Sequence, residues 1–327
     1  MAVDWRPGAS LDTLRLRARM LERLRDFFAR RGVLEVETPL LSVAASSDPA
    51  LASFQTPYQG PGLPAGQPLY LHTSPEFPMK RLLAAGSGPI FQVARVFRDG
   101  EAGARHNPEF SLLEWYRTGW ELEALMDEVE ALVTGLYEGA QPLPTPRRYR
   151  YRALFQEYLG LDPLAVSVAE LRACGERAGI RAPAGMPADD PDPWRDWLLS
   201  HLIEPRLGPG LVFVRDYPAS QAALARLKPG DPAVAERFEL YWDGLELANG
   251  FHELGNAAEQ RARFLADNRK RRDLGLPEMP LDERLLAALE EGLPDCSGVA
   301  LGLDRLLMRL AGLARIDQAL SFAIDRA

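Results

Sequence analysis

The chain has 327 residues, a net charge of -8, a pI near 5.3 and 46% hydrophobic residues. That is enough apolar material for one large core, and the acidic balance argues against an extended, nonspecific grip on nucleic acid. No apolar run approaches membrane-spanning length, the opening MAVDWRPGAS lacks a secretory signal, and Cys174 and Cys296 supply neither a disulfide framework nor metal-ligand spacing, so a cytoplasmic protein is expected.

Residues 11 to 31 place Leu14, Met20, Leu21, Leu24, Phe27 and Phe28 at largely helical spacing, with Ser10 or Asp12 as cap and Gly32 as stop. An amphipathic helix is predicted there. The alternation in VLEVETP then predicts a short strand ending at Pro39. After the Pro/Gly loop 57 to 68 comes a strand, LYLHTS, and then a helix begun by Ser74 and Pro75 and ended by Gly86. Glu76 falls in its first turn, where the helix dipole favours a carboxylate; a plain capping role and a ligand role both fit.

Phe91 to Arg117, FQVARVFRDGEAGARHNPEFSLLEWYR, reads as two strands and a loop rich in polar groups. Alternation puts Gln92, Ala94, Val96 and Arg98 on one face of the first strand, and Phe110, Leu112, Glu114 and Tyr116 on one face of the second. An arginine fork suits phosphate or carboxylate, and an acid beside a phenol suits an amine, so this hairpin can hold both halves of an activated amino acid. The plainer alternative is a solvated hairpin with surface ion pairs, but Glu101, Arg105, His106 and Asn107 in one loop exceed what turn chemistry needs.

A helix is predicted over 121 to 138. A mainly helical insertion follows at about 140 to 235, broken by a Pro/Asp-rich stretch at 182 to 193 and by an apolar strand, LVFVRDYP, at 211 to 218. In ERFELYWDGLELANGFHEL, Asp243-Gly244 signals a two-residue hairpin that pairs Trp242 with Leu245 and Tyr241 with Glu246. Glu239 then shares a face with Glu246. Two such acids repel unless a cation bridges them, and oxygen ligands suit magnesium; solvated surface acids are the alternative. Farther on, Arg261, Arg263, Arg269, Lys270, Arg271 and Arg272 form a candidate docking patch or a solvated helical face.

The hairpin, with its HNPEF and LLEWY runs, resembles motif 2 of the class II aminoacyl-tRNA synthetases in their lysyl branch, and GVALGLDRL at Gly298 to Leu306 resembles their motif 3. Helix, strand and proline near the N-terminus resemble motif 1, which implies a homodimer. The resemblance implies an α+β fold, with an antiparallel β-sheet flanked by helices in a single catalytic domain spanning 1 to 327. It implies ATP held by Arg98, Glu101, His106, Asn107, Phe110, Glu246, Leu247, Gly302 and Arg305, with Arg98 and Arg305 catalytic. It implies Mg2+ on Glu239 and Glu246, and a lysine-like substrate on Ser74, Glu76, Tyr116, Asn249 and Glu253. Glu253 would take the side-chain ammonium beside Tyr116, Glu76 the substrate's other amine, and Asn249 would lie near its carboxylate.

The sequence departs from that family in two places. The first helix of the catalytic domain starts about ten residues in, so no N-terminal OB-fold for reading an anticodon is expected, and tRNA is not the expected acceptor. RDGE also puts Gly100 where the family has a glutamate, with Glu101 one residue later. A lysyl-type core without an anticodon domain resembles the synthetase paralogues that join (R)-beta-lysine, or lysine, to a lysine side chain of elongation factor P. Two alternatives stand beside that expectation: a stand-alone enzyme acylating tRNA, and a non-catalytic regulatory paralogue.

Overall fold

The computed structural model describes residues 5–327; the first four residues of the opening stretch read above lie outside the described residues. These fall into two compact units, one of residues 5–121, 131–139 and 255–327, the other of residues 122–130 and 140–254. No described helix is long and apolar enough to cross a membrane.

The first unit begins with α1 (Leu11–Ala29), β1 (Leu34–Glu35), β2 (Leu41–Ser42), β3 (Gln55–Pro57), β4 (Pro68–Leu71), α2 (Glu76–Ala84), β5 (Ile90–Phe97) and β6 (Glu109–Thr118). The helix α3 (Leu122–Leu136) begins in the second unit's residues and ends in the first's. Ser10 caps α1 through its side chain, which accepts from the Thr13 amide, and Gly32 follows with φ 65°, a left-handed stop suited to glycine. Met20, Leu24, Phe27 and Phe28 of the α1 stripe are buried, Leu14 and Leu21 partly so; Phe28 stacks on Phe91 of β5 at 4.5 Å and meets Trp115 of β6 edge-on at 5.4 Å. Its sheet runs β1-β5-β6 and then β12 (Cys296–Gly302), with β1 parallel to β5 and the other pairs antiparallel. A separate three-stranded sheet has the order β2-β4-β3.

The second unit contains β7 (Arg147–Arg150), α4 (Tyr151–Leu159), α5 (Val168–Arg177), α6 (Asp192–Leu198), β8 (Leu211–Pro218), β9 (Leu227–Lys228), β10 (Asp231–Trp242) and β11 (Leu245–His252). The strand expected at 211 to 218 is β8, and the stretch expected to be otherwise helical also supplies β7 and β9, RRYR pairing beside LVFVRDYP rather than joining the helices. Strand order is β11-β10-β8-β7, with β9 on β10. Tyr151, Phe155 and Tyr217 pack with Trp194 and Trp197 in one buried cluster. The first unit resumes with α7 (Ala257–Asp273) and α8 (Glu283–Gly292), and α9 (Leu303–Leu310) follows β12.

The turn between β10 and β11 is the one the Asp-Gly pair predicts, with Asp243 at φ 48° and Gly244 at φ 71°. The Asp243 side chain accepts from the Gly210 amide at 2.7 Å, and a Cβ on Gly244 would sit 2.6 Å from the Glu204 carbonyl oxygen. Gly244→Ala therefore meets both an unfavourable φ and backbone it cannot displace. It is expected to lower unfolding stability by about 1 to 3 kcal/mol in denaturant melts, and a melt matching the unsubstituted protein would show that the turn is not constrained in this way.

Candidate active site

The β5–β6 register brings the expected faces together: Gln92 opposes Glu114, Ala94 opposes Leu112 and Val96 opposes Phe110. Glu114 is buried, with 2% of its surface exposed, and a buried carboxylate is costly unless donors surround it. Tyr116 donates its hydroxyl to Glu114 Oε1 and Ser74 donates to Oε2, both at 2.8 Å. Ser74 also accepts from the Glu76 amide at 3.0 Å, which ties the start of α2 to the same acid. The acid, phenol and hydroxyl thus form a compact acceptor-rich group able to receive an ammonium.

Glu76 has a partner that the sequence reading did not assign. The buried Lys80, one helical turn on, lies 2.6 Å from its carboxylate. The i, i+4 spacing carried that signal, but an identical spacing is common on solvated helix faces.

Arg98 continues the hairpin through its amide, bonded to the Pro108 carbonyl at 2.9 Å, and its guanidinium lies 5.1 Å from the Phe110 ring centroid. Gly100 has φ 79°, a conformation in which a glutamate would be strained, and the displaced acid, Glu101, lies 3.7 Å from Arg98. Arg305, in the first turn of α9, reaches His106 Nε2 at 2.7 Å. A guanidinium only donates, so Nε2 accepts and the ring proton belongs on Nδ1. Partial withdrawal from water, then the adjacent Arg305, lower the His106 pKa below its ordinary value.

Asn107 is engaged by backbone, donating to the Glu109 carbonyl at 2.6 Å and accepting from the Ile324 amide at 3.0 Å. Gly302 is the residue preceding α9. Asp304, not singled out from the sequence, fixes the start of that helix: its buried carboxylate accepts from Arg17 of α1 at 2.5 Å and from the Ser111 amide of β6 at 2.6 Å. Arg305 is therefore carried on a helix end anchored by a buried ion pair.

In the second unit, Tyr241 opposes Glu246 and Trp242 opposes Leu245, as the turn predicts, and Glu239 opposes Asn249. A bulge makes Leu247 the extra residue between these rungs. Glu239 is enclosed by donors that the sequence reading missed. Tyr217 and Tyr241 give their hydroxyls to Oε2 at 2.6 and 2.5 Å, and Arg237 gives Nη2 to Oε1 at 2.5 Å. Burial and then the Glu239 charge push both phenols well above their ordinary pKa, so they remain donors. Burial is the largest single influence on Arg237 and lowers its pKa, but Glu239, Tyr217 and Asp196 together outweigh it and raise it.

Arg237 thus already sets a cation against Glu239, and a divalent ion would find there the remaining lone pair of Oε1, an oxygen donor of the kind magnesium takes. Glu253 is buried and bridges to Ala225 at the end of β11.

The basic run on α7 is largely consumed within its own unit. Arg261 pairs with Glu283, Arg263 with Glu259 and Arg272 with Glu278, while Arg271 is buried and donates to the Asp48 and Leu51 carbonyls. A charge count along the sequence overstates the free positive surface there.

Residues 1–326 match the family model described as tRNA synthetases class II (D, K and N). The chain is 50% identical over 325 residues to an elongation factor P--(R)-beta-lysine ligase of Vibrio cholerae, covering 99% of each chain. It is 48% identical over 329 residues to the protein of that name from Edwardsiella ictaluri, covering 99% of this chain and 98% of the relative. To that of Haemophilus influenzae it is 47% identical over 324 residues, with the same coverage. The chain belongs to the class II tRNA synthetase family, among the relatives that bear the elongation factor P--(R)-beta-lysine ligase name.

Proposed function

We propose that the protein is an ATP-dependent ligase that activates (R)-beta-lysine, or lysine, as an adenylate and transfers it to a lysine side chain of elongation factor P. The observation that carries the reading is the β5–β6 register, which sets the amine-accepting Glu114 and Tyr116 on the hairpin that continues into Arg98. The names of near-full-length relatives supply the acceptor. Mg2+ is assigned to Glu239 and Glu246, where it would neutralise charge on the ATP phosphates. A homodimer is assigned to the motif 1 surface, where Leu11, Leu34 and Leu41 are exposed. Cytoplasmic residence accords with those partners.

In the first step the substrate carboxylate attacks the α-phosphorus of ATP, a C–O–P linkage forms, and pyrophosphate departs with the electrons of the broken P–O bond. Arg98 and Arg305 offset the charge on the phosphate oxygens. The attacking carboxylate is already ionised at neutral pH, so no general base is required. In the second step the acceptor lysine nitrogen attacks the acyl carbon, AMP leaves, and the nitrogen loses a proton to give an amide. Asn249 and Glu253 hold the substrate's carboxylate end and its terminal ammonium, respectively.

Two outcomes test this reading. Glu253→Gln removes the charge that complements the ammonium, at a cost of about 2 to 4 kcal/mol in lysine or beta-lysine binding, while ATP binding is retained. Equal losses for both ligands in calorimetric titrations would show that Glu253 serves the fold instead. Incubation with ATP, beta-lysine, elongation factor P and tRNA should give a single acyl addition on the protein by mass spectrometry and none on the tRNA. Ribonuclease-sensitive transfer to tRNA with no protein product would replace the proposal with a stand-alone synthetase, and the absence of any acylation would favour a regulatory paralogue.

A further inference from the structure

Arg237 lies in the segment read for the Asp243-Gly244 turn but was given no role there, yet its guanidinium joins three polar groups of the second unit. Nη2 donates to Glu239 Oε1 at 2.5 Å, Nη1 to the Gln221 carbonyl at 2.7 Å and Nε to Asn249 Oδ1 at 3.2 Å. The group also lies over the Tyr217 ring, 4.4 Å from its centroid. Glu239 and Asn249 are direct cross-strand partners, so one planar cation fixes an acid and an amide on the same rung of the β10–β11 ladder.

The contact with Asn249 has a chemical consequence. Arginine has no acceptor, so the amide atom it meets must be the oxygen, and the Asn249 NH2 is turned to the opposite side of the group. An amide fixed in that sense offers donors: it complements a carboxylate or carbonyl oxygen and mismatches an ammonium. Without Arg237 the two ends of the amide would be interchangeable by a half-turn about its terminal torsion.

The backbone explains how Arg237 comes to sit there. Between Ala235 and Phe238 the β10–β8 register shifts, so that Glu236 and Arg237 stand against the single residue Asp216. Asp216 itself has φ 59°, an unfavourable conformation for a non-glycine residue, and its buried carboxylate is tied to Lys228 at 2.8 and 3.0 Å. Bulges of this kind re-aim side chains.

We infer that Arg237 is a positioning residue that holds Asn249 as a hydrogen-bond donor and so selects amines bearing a carboxylate; this rests on the proposal that the protein activates a lysine-like amino acid. Arg237→Gln and Arg237→Lys, the latter keeping the charge beside Glu239, should each weaken lysine binding about tenfold while leaving 1,5-diaminopentane, which is lysine without its carboxylate, within about twofold of its original affinity. Calorimetric titration of both amines, with thermal melts of each variant, provides the readout. Because the effect passes through Asn249, Arg237→Gln combined with Asn249→Ala should lose no more lysine affinity than Asn249→Ala alone. Equal losses for both amines, or additive losses in the double variant, would overturn the inference and leave Arg237 as a residue of the fold. Wild-type protein that binds neither amine would instead overturn the lysine reading, and the inference with it.

Discussion

A carboxylate taken out of water has to be met by donors, and in this protein that requirement organises each part of the candidate site. Glu239 receives two phenols and a guanidinium, Glu114 receives a phenol and a serine hydroxyl, and Asp304 receives Arg17 and a backbone amide. Leaving any one of these acids buried and unmatched would cost several kcal/mol, on the order of what a whole domain has to spare. The strands and helices that carry the donors are consequently held in fixed register around the acids. A site whose ligands are charged benefits from this rigidity, because its groups need no rearrangement when phosphate or ammonium arrives.

Much of this was legible in the sequence where the relevant geometry is local. The alternation over Ile90 to Arg98 and Phe110 to Arg117 gave the faces that the β5–β6 register then showed, and Asp243-Gly244 gave the pairing of Tyr241 with Glu246. Caps and stops at Ser10, Gly32 and Gly86 were likewise local, since each depends on a side chain or a φ value within one turn of the helix end.

What stayed hidden was long-range or depended on a shift of register. Arg17 and Asp304 are 287 residues apart, and nothing in either neighbourhood announces the other. Arg237 appeared as one more charge in ERFELYW because its bonds go to three separate segments, and the bulge that aims it has no sequence signal as distinct as a turn. The α7 basic run stayed open between a patch and a solvated face because two of its acidic partners, Glu278 and Glu283, lie beyond the helix. In the 140 to 235 stretch, β7 and β9 stayed concealed because RRYR and Leu227-Lys228 are short and largely polar, with no alternation long enough to signal a strand.

The central claim is that these buried acids and their arginines serve adenylate formation from a lysine-like amino acid. Amino-acid-dependent exchange of labelled pyrophosphate into ATP measures that step alone, with no acceptor present. Exchange should require lysine or beta-lysine and magnesium, fail with neutral amino acids of similar size, and disappear in a folded Glu246→Gln variant. Exchange by that folded variant at the original rate would remove the metal assignment, and no exchange by the intact protein with either form of lysine would contradict the account as a whole.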